Sequence, residues 1–460
     1  MSALPSTPAV AVLGAGVAGL TAAYRLRALG ARPVILEASG RIGGALWTVR
    51  RDGYQVDVGA NSMQRKPARV GEILDALGLA SEIVEAGPEA KARYVVRDGR
   101  PVALPSGPKG LLTTALFSRR GRLRAAMEPL VRSREIPDET VAGFVRRRLG
   151  AEVVDYAVDP FVAGIFAGDP ERLAVAHAFP LLTELEREHG SVVRGMVRRA
   201  KARRAAGEGG GPPPSFSFQA GMDTLPRALA QSLGSTVQLG CAVRSVHFEH
   251  GRYTVKTDDG DTREPFDAVV STAPLHRLPA LDGLPDPAPL RDARYAPVTV
   301  LALGFRRADV AHPLDGFGML VPRRETQTRI LGALFSSTLF PGRAPDGHVL
   351  LTCFLGGTRR PADAALPEAE QVALALADLR ELLGVRGAPT FVHRHAWPRA
   401  IPQYEVGYER VLDGLAEVEA AWPGFRFAGN YRGGVAVGAA LASGWEAADA
   451  VGQTLGLGRR

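Results

Sequence analysis

Cysteine is almost absent from this chain of 460 residues: only Cys241 and Cys353 occur. That excludes a disulfide scaffold and fits a reducing compartment. Lysine is scarce too, with five residues against 51 arginines. No transmembrane helix is visible. The uncharged stretch near the start, Pro8 to Tyr24, is too short and too rich in glycine. The first basic residue, Arg25, follows that stretch, so no secretory leader is expected. These absences point to a cytoplasmic protein, with contact to a membrane surface left open.

What is present describes a soluble globular chain of about three domains. Apolar residues make up 46% and charged residues 23%, both ordinary values. The net charge of +8 is unevenly spread. Residues 91–204 hold 22 Lys+Arg against 13 Asp+Glu, while the rest of the chain is almost balanced. A basic segment of this kind can meet nucleic acid, an anionic membrane or an acidic small molecule. No nucleic-acid-binding module appears, so nucleic acid is not expected as a partner.

The apolar run Ala9 to Leu13 predicts a buried parallel strand, followed by a helix to Leu29 closed by Gly30. Pro33 to Glu37 predicts the second strand of a βαβ unit. Between strand and helix lies Gly14-Ala15-Gly16-Val17-Ala18-Gly19. The first glycine permits the tight turn, the second admits a pyrophosphate, and the third lets helix and strand pack closely. The helix N-terminus offers free N–H groups to the phosphates, and Glu37 can accept from both ribose hydroxyls. This is a dinucleotide site.

Further along, Val237–Val246 and Tyr253–Thr257 read as strands joined by a turn at His250-Gly251, and Phe266–Val270 as a buried strand. Strand-like runs follow at Val298–Phe305, Arg329–Phe335 and His348–Phe354, then a helix over 366–384. A strand at Arg426–Gly429 and a small-residue helix from about Val435 to Val451 close the chain. Gly207 to Pro214 reads as a flexible linker.

The run Glu37-Ala38-Ser39-Gly40-Arg41-Ile42-Gly43-Gly44 resembles the flavoenzymes of the amine oxidase superfamily, which bind FAD. The resemblance implies that Arg41, Gly43, Gly44 and Ala45 run along the pyrophosphate toward the flavin. It gives Gly59, Ala60, Asn61 and Ser62 to the same cofactor, with Val243 in a further piece of the site. The C-terminal segment from Asn430 through Val435, Ala436 and Val437 would face the N1–C2=O edge of the ring.

The resemblance then narrows. Gly164-Ile165-Phe166-Ala167-Gly168-Asp169-Pro170, Leu182 to His189, Gly316 to Pro322, Phe335 to Pro341 and Ile401-Pro402-Gln403-Tyr404 are similar to the protoporphyrinogen oxidases, in order and over essentially the whole chain. The similarity implies an α/β fold in three parts. These are a Rossmann-like FAD-binding domain (1–88, 207–289 and 403–460), an inserted helical, membrane-associating domain (89–206) and a mixed-sheet substrate domain (290–402). It implies a tetrapyrrole substrate held by Arg93 at a propionate and by Phe317, Leu320, Leu334 and Phe354 at the macrocycle. Gly164 would line the pocket, and Asn61 would lie near substrate or flavin.

The implied reaction is oxidation of protoporphyrinogen IX to protoporphyrin IX in heme biosynthesis, by repeated two-electron transfers to FAD with dioxygen as acceptor. No side-chain base is expected to be essential. Peripheral membrane contact and a homodimer are among the partners the family allows.

Coproporphyrinogen III, with four propionates instead of two, is the alternative substrate. A flavin amine oxidase or carotenoid desaturase is a more distant one; the absence of lysine after Lys256 argues against the amine oxidase. A non-catalytic membrane-surface module that keeps FAD as a structural element is a third. The chain departs from the family pattern at Gly438-Ala439, where many members carry Asn-Asp. His393 and His395 share one side of a strand, but two ligands rarely suffice for a metal, so both read as structural and no metal is expected.

Overall fold

The computed structural model describes residues 7–105, 110, 113–206, 214–278, 280–282 and 288–458. Ala9–Leu13, buried along its whole length, is the centre of a five-stranded parallel sheet. Arg32–Glu37 and Ala268–Ser271 flank it, with Val237–Leu239 and Phe425–Phe427 at the edges. Alternate residues serve two cores. Val10 and Val12 meet the helices Val17–Ala28 and Val437–Thr454 through Leu20, Leu26 and Leu441. Ala9, Ala11 and Leu13 join the cluster holding Val246, Tyr253, Val255 and Trp422. Covered on both faces, the strand has no polar side, hence its unbroken apolar run.

Two predicted strands prove to be two each. Gly240, at a φ of 69°, breaks the run Val237–Val246. Val237–Leu239 stays in the parallel sheet, while Val243–Glu249 opens a separate four-stranded layer. The amides of Gly240 and Cys241 donate to the Ser39 and Glu37 carbonyls, which fixes the break at the end of Arg32–Glu37. Phe266–Val270 divides in the same way at Asp267, whose amide donates to Ala9 O and whose carboxylate accepts from Ala9 N.

A seven-stranded mixed sheet makes the second body. Its order is Phe391–Pro402, Tyr295–Arg306, His348–Gly356, Gly332–Phe335, Gly316–Leu320, Ala92–Arg97 and Arg100–Ala103. The helix Glu368–Leu383 covers one face, packing Ala375, Leu379 and Leu382 on Leu303, Phe335, Leu351 and Cys353. The other face carries the site described below. Residues 92–103 thus belong to this sheet, although the sequence reading put them in a helical segment. Tyr94 and Val96 alternate into the sheet core, a period-2 pattern that the neighbouring arginines obscure.

The helices of the basic segment include Arg119–Ala126, Val141–Arg148, Asp159–Phe166, Pro180–His189 and Val192–Ala205. Ser118, Thr140 and Ser191 cap three of them through their side-chain oxygens. Among the described residues no helix is long and apolar enough to cross a membrane. The linker predicted from Gly207 to Pro214 lies, but for Pro214, outside the described residues.

Candidate active site

The glycine-rich turn is built by backbone proximity. A Cβ on Gly19 would sit 2.0 Å from Gly14 O, so only glycine lets the helix Val17–Ala28 approach the strand this closely. A Cβ on Gly16 would meet nothing within 4 Å, so the space before the helix is open. That helix has no capping side chain and no acid in its first turn, which leaves its leading N–H groups for an anion. Gly43 bridges to Gly16, and the Gly43 amide donates to Ala15 O at 2.8 Å. The 14–19 and 41–45 turns therefore form one cradle.

Glu37 and Arg41 sit at its two sides. Glu37 Oε2 accepts from the Ala15 amide at 2.7 Å, and Oε1 accepts from the Ser39 amide and hydroxyl. The carboxylate is thereby oriented by three donors. Arg41 donates to Gly44 O at 2.8 Å and lies over the Trp47 ring at 4.4 Å. Ala38 and Ala45 are exposed beside them. Val243 starts its strand just after Cys241, whose amide is tied to Glu37 O, so it lies toward the Glu37 end of the cradle.

The C-terminal helix packs closely on the helix after the glycine-rich turn, where a Cβ on Gly444 would lie 2.1 Å from Ala18 O. The helix Val437–Thr454 begins after Ala436 with no capping side chain and no acid in its first turn. Val435 and Val437 are half-buried and Ala436 is exposed, so this N-terminus is also open to a polar ligand. At Gly438 the departure from the family pattern has a steric reason: a Cβ would fall 2.2 Å from Lys66 O, leaving no room for asparagine. Gly59 approaches Ala45 O with similar tightness, and Asn61 Nδ2 donates to Gly59 O at 2.9 Å. Ala60, Asn61 and Ser62 are half-buried in the same loop. The described residues fit an extended dinucleotide, offering two open helix N-termini, an oriented acid and a cation held over Trp47.

The substrate-site residues come together through sheet register. Arg93 pairs with Gly318, Gly318 with Leu334, Leu320 with Gly332, and Gly332 with Phe354. Arg93, Leu320, Leu334 and Phe354 therefore point from the same face. Leu320, Leu334, Phe354 and Phe317 are only half-buried. The Arg93 guanidinium lies over the Phe317 ring at 4.9 Å. Across the face stands the helix Asp159–Phe166, where a Cβ on Gly164 would come 2.8 Å from Leu320 Cδ2. Asn61 is farther along, at a small cavity shared with Ser336, Phe340, Arg343 and Thr352.

The sequence alone assigns no role to three neighbours of these residues. Arg343, 3% exposed, pairs with buried Asp57 at 3.2 Å and joins the nucleotide body to the substrate sheet. Trp47 holds Arg41 and is itself met edge-on by His395 at 5.0 Å. Burial, followed by the nearby Arg41 charge, pushes His395 down to about 4, so it is neutral at pH 7 and adds no competing cation. Tyr404 stood out only as part of a motif; its hydroxyl touches the C-terminal loop. No local spacing signals any of these contacts.

Comparison with known proteins identifies the family. Residues 17–452 match the family model described as flavin containing amine oxidoreductase. Protoporphyrinogen oxidase 2, chloroplastic/mitochondrial, of Arabidopsis thaliana is 38% identical over 96% of this chain and 93% of its own length. The mitochondrial protoporphyrinogen oxidase of Nicotiana tabacum is 37% identical over 97% and 95%. Coproporphyrinogen III oxidase of Bacillus subtilis (strain 168) is 28% identical over 93% and 94%. A solved structure from Exiguobacterium sp. 255-15 shares the fold with a TM-score of 0.81 at 24% identity, covering 97% of this chain and 99% of its own.

Proposed function

The chain belongs to the flavin containing amine oxidoreductase family, in its protoporphyrinogen oxidase branch, and we propose that it oxidises protoporphyrinogen IX to protoporphyrin IX. The 14–19 and 41–45 turns, Glu37 and the segment 435–437 would hold FAD, which would supply the two-electron redox chemistry with dioxygen as the final acceptor.

The observation that carries the substrate reading is the half-buried apolar face with a cation at its margin. A flat macrocycle can cover Phe317, Leu320, Leu334 and Phe354 while a propionate reaches Arg93. Among the described residues no acidic side chain pairs with Arg93, which leaves its fork free for a carboxylate. Phe317, Leu320, Leu334 and Phe354 carry no titratable group, so these side chains bind, orient and exclude water rather than move protons; His393 and His395 stand farther across the same sheet face, and burial holds both below the ordinary imidazole. Higher identity to the protoporphyrinogen oxidases than to the coproporphyrinogen III oxidases favours the dicarboxylate substrate.

The test is porphyrin fluorescence during aerobic turnover, with protoporphyrinogen IX and coproporphyrinogen III side by side. A larger kcat/KM for the first supports the proposal, and a larger value for the second replaces it. Phe317→Ala and Leu320→Ala should each lower kcat/KM roughly tenfold, the scale of one buried apolar side chain. Full activity in both variants would remove the face from the site.

We infer also that the helical region rests on an anionic membrane surface. Among the described residues, nine of the eleven exposed large apolar side chains lie between Leu123 and Val197, among the arginines. Phe161 and Ile165 flank Gly164, so this apolar surface continues to the helix that borders the substrate face. Arginine stems can lie along such a surface with their heads at lipid phosphates. Co-sedimentation with phosphatidylglycerol vesicles should be strong and should weaken in a Leu123→Ser/Leu130→Ser double variant. Absence of binding by the parent protein at low salt would refute this docking.

A further inference from the structure

The segment after the strand Phe391–Pro402 stands between the substrate face and the glycine-rich loop 429–436. Gln403 and Tyr404 are each 2% exposed. Gln403 Nε2 donates to Phe166 O at 2.8 Å, at the end of the helix that carries Gly164. The Tyr404 ring lies 5.9 Å from Phe166 and 4.7 Å from Tyr408. Its hydroxyl turns the other way, donating to Asn430 O at 2.5 Å and accepting from the Gly434 amide at 3.1 Å. Tyr408 adds a bond from its hydroxyl to Tyr431 O at 2.8 Å.

This loop needs such holding. Gly433 and Gly434 take φ values of 77° and 128°, where glycine has the widest choice of alternatives. Burial raises the ionisation of Tyr404 well above the ordinary phenol, so the hydroxyl keeps its proton and can donate and accept at once. A phenylalanine would pack equally well against Phe166 and Tyr408. The hydroxyl is therefore explained by the loop and not by the core.

We propose that Tyr404 is a positioning residue for the flavin: its hydroxyl clamps Asn430 and Gly434, so that the amides opening the helix Val437–Thr454 face the ring's N1–C2=O edge. Gln403 ties the same segment to the helix bordering the substrate face, so ring and substrate are held from one short stretch of chain. The proposal rests on the FAD reading and is independent of which porphyrinogen is used. N–H groups aimed at that edge favour the reduced, negatively charged ring, so loosening them should make the ring harder to reduce.

The experiment compares Tyr404→Phe with the parent holoenzyme by anaerobic reductive titration against a reference dye. The variant should have a more negative midpoint potential and a kcat roughly fivefold lower, the scale of one lost hydrogen bond, with KM within twofold. A folded variant with weakened affinity for added FAD supports the same role. Unchanged potential, affinity and kcat overturn it, even if the variant melts earlier. Tyr408→Phe, which releases the Tyr431 carbonyl of the same loop, should shift the potential less and in the same direction. If Tyr404→Phe does not fold, an unchanged potential in Tyr408→Phe overturns the clamp. A parent protein that purifies without flavin and binds none would instead sink the FAD reading.

Discussion

Replacing Glu128 by alanine is expected to cost the helical region about 3–5 kcal/mol, the range for removing one partner of a buried ion pair. Glu128 and Arg148 are both fully buried. Arg148 Nε donates to Glu128 Oε1 at 2.7 Å, and its Nη1 reaches Glu186 at 3.1 Å and Val131 O at 3.0 Å. Glu128 also accepts from the Ser191 hydroxyl and from the Val192 and Val193 amides. It therefore neutralises a buried cation and closes the N-terminus of the helix Val192–Ala205. Removing it leaves a buried guanidinium short of an acceptor and a helix end short of a cap.

Glu128→Gln keeps the shape and most of the acceptors, so its cost should be smaller, about 1–3 kcal/mol. Burial alone would push the Glu128 carboxyl up, but the Ser191 hydroxyl, the Arg148 guanidinium and the two amides outweigh it and hold it below the usual range. A depressed carboxyl stabilises the fold above the ordinary glutamate range, and that contribution is lost as the pH falls through the folded value. The parent protein should therefore weaken on acidification, and Glu128→Ala should show a flatter profile. Urea denaturation followed by limited proteolysis of the helical region measures both effects, and equal stability of parent and alanine variant would contradict the argument.

Arg148 also marks the limit of what the sequence reveals. Arg146-Arg147-Arg148 reads as one basic cluster, yet its members have different fates. Arg148 is buried, Arg147 pairs with Glu139 and Glu186, and Arg146 keeps about half its surface in water. Arg147 and Arg148 are thus matched inside the fold by Glu128, Glu139 and Glu186 of the same segment, so the net positive excess stays on the other arginines. Local spacing predicted well where the contacts are local: Gly14, Gly16, Gly19 and Glu37 lie within one βαβ unit, and the structure closes them into one cradle. Contacts between distant segments left no such trace. Nothing in Ala92 to Ala103 says that Gly316–Leu320 will be its neighbour, and nothing in Asp57 names Arg343. Apolar alternation gives the face of a strand but not its partner. A buried hydroxyl such as that of Tyr404 reads in sequence as one more core aromatic.

Replacing Arg93 by alanine should lower kcat/KM for protoporphyrinogen IX by about 10- to 150-fold, the equivalent of the ~1.5–3 kcal/mol of a hydrogen bond to a charged group. Most of the loss should fall on KM, because on the proposed reading the guanidinium would touch a propionate and not the ring carbons that lose hydrogen. Two features make the residue more than a surface charge. It projects from the same sheet face as Leu320, Leu334 and Phe354, and, although the residue is exposed, its guanidinium lies over the Phe317 ring at the edge of that face. Arg93→Lys keeps the charge but loses the planar fork, so it should fall between parent and alanine. The dimethyl ester of the substrate separates charge from shape. If Arg93 reads a carboxylate, parent and Arg93→Ala should turn over the ester at similar rates, with FAD content unchanged in both. A variant that discriminates equally against acid and ester would mean that Arg93 supports the pocket wall, and the propionate would have to be sought on another side chain.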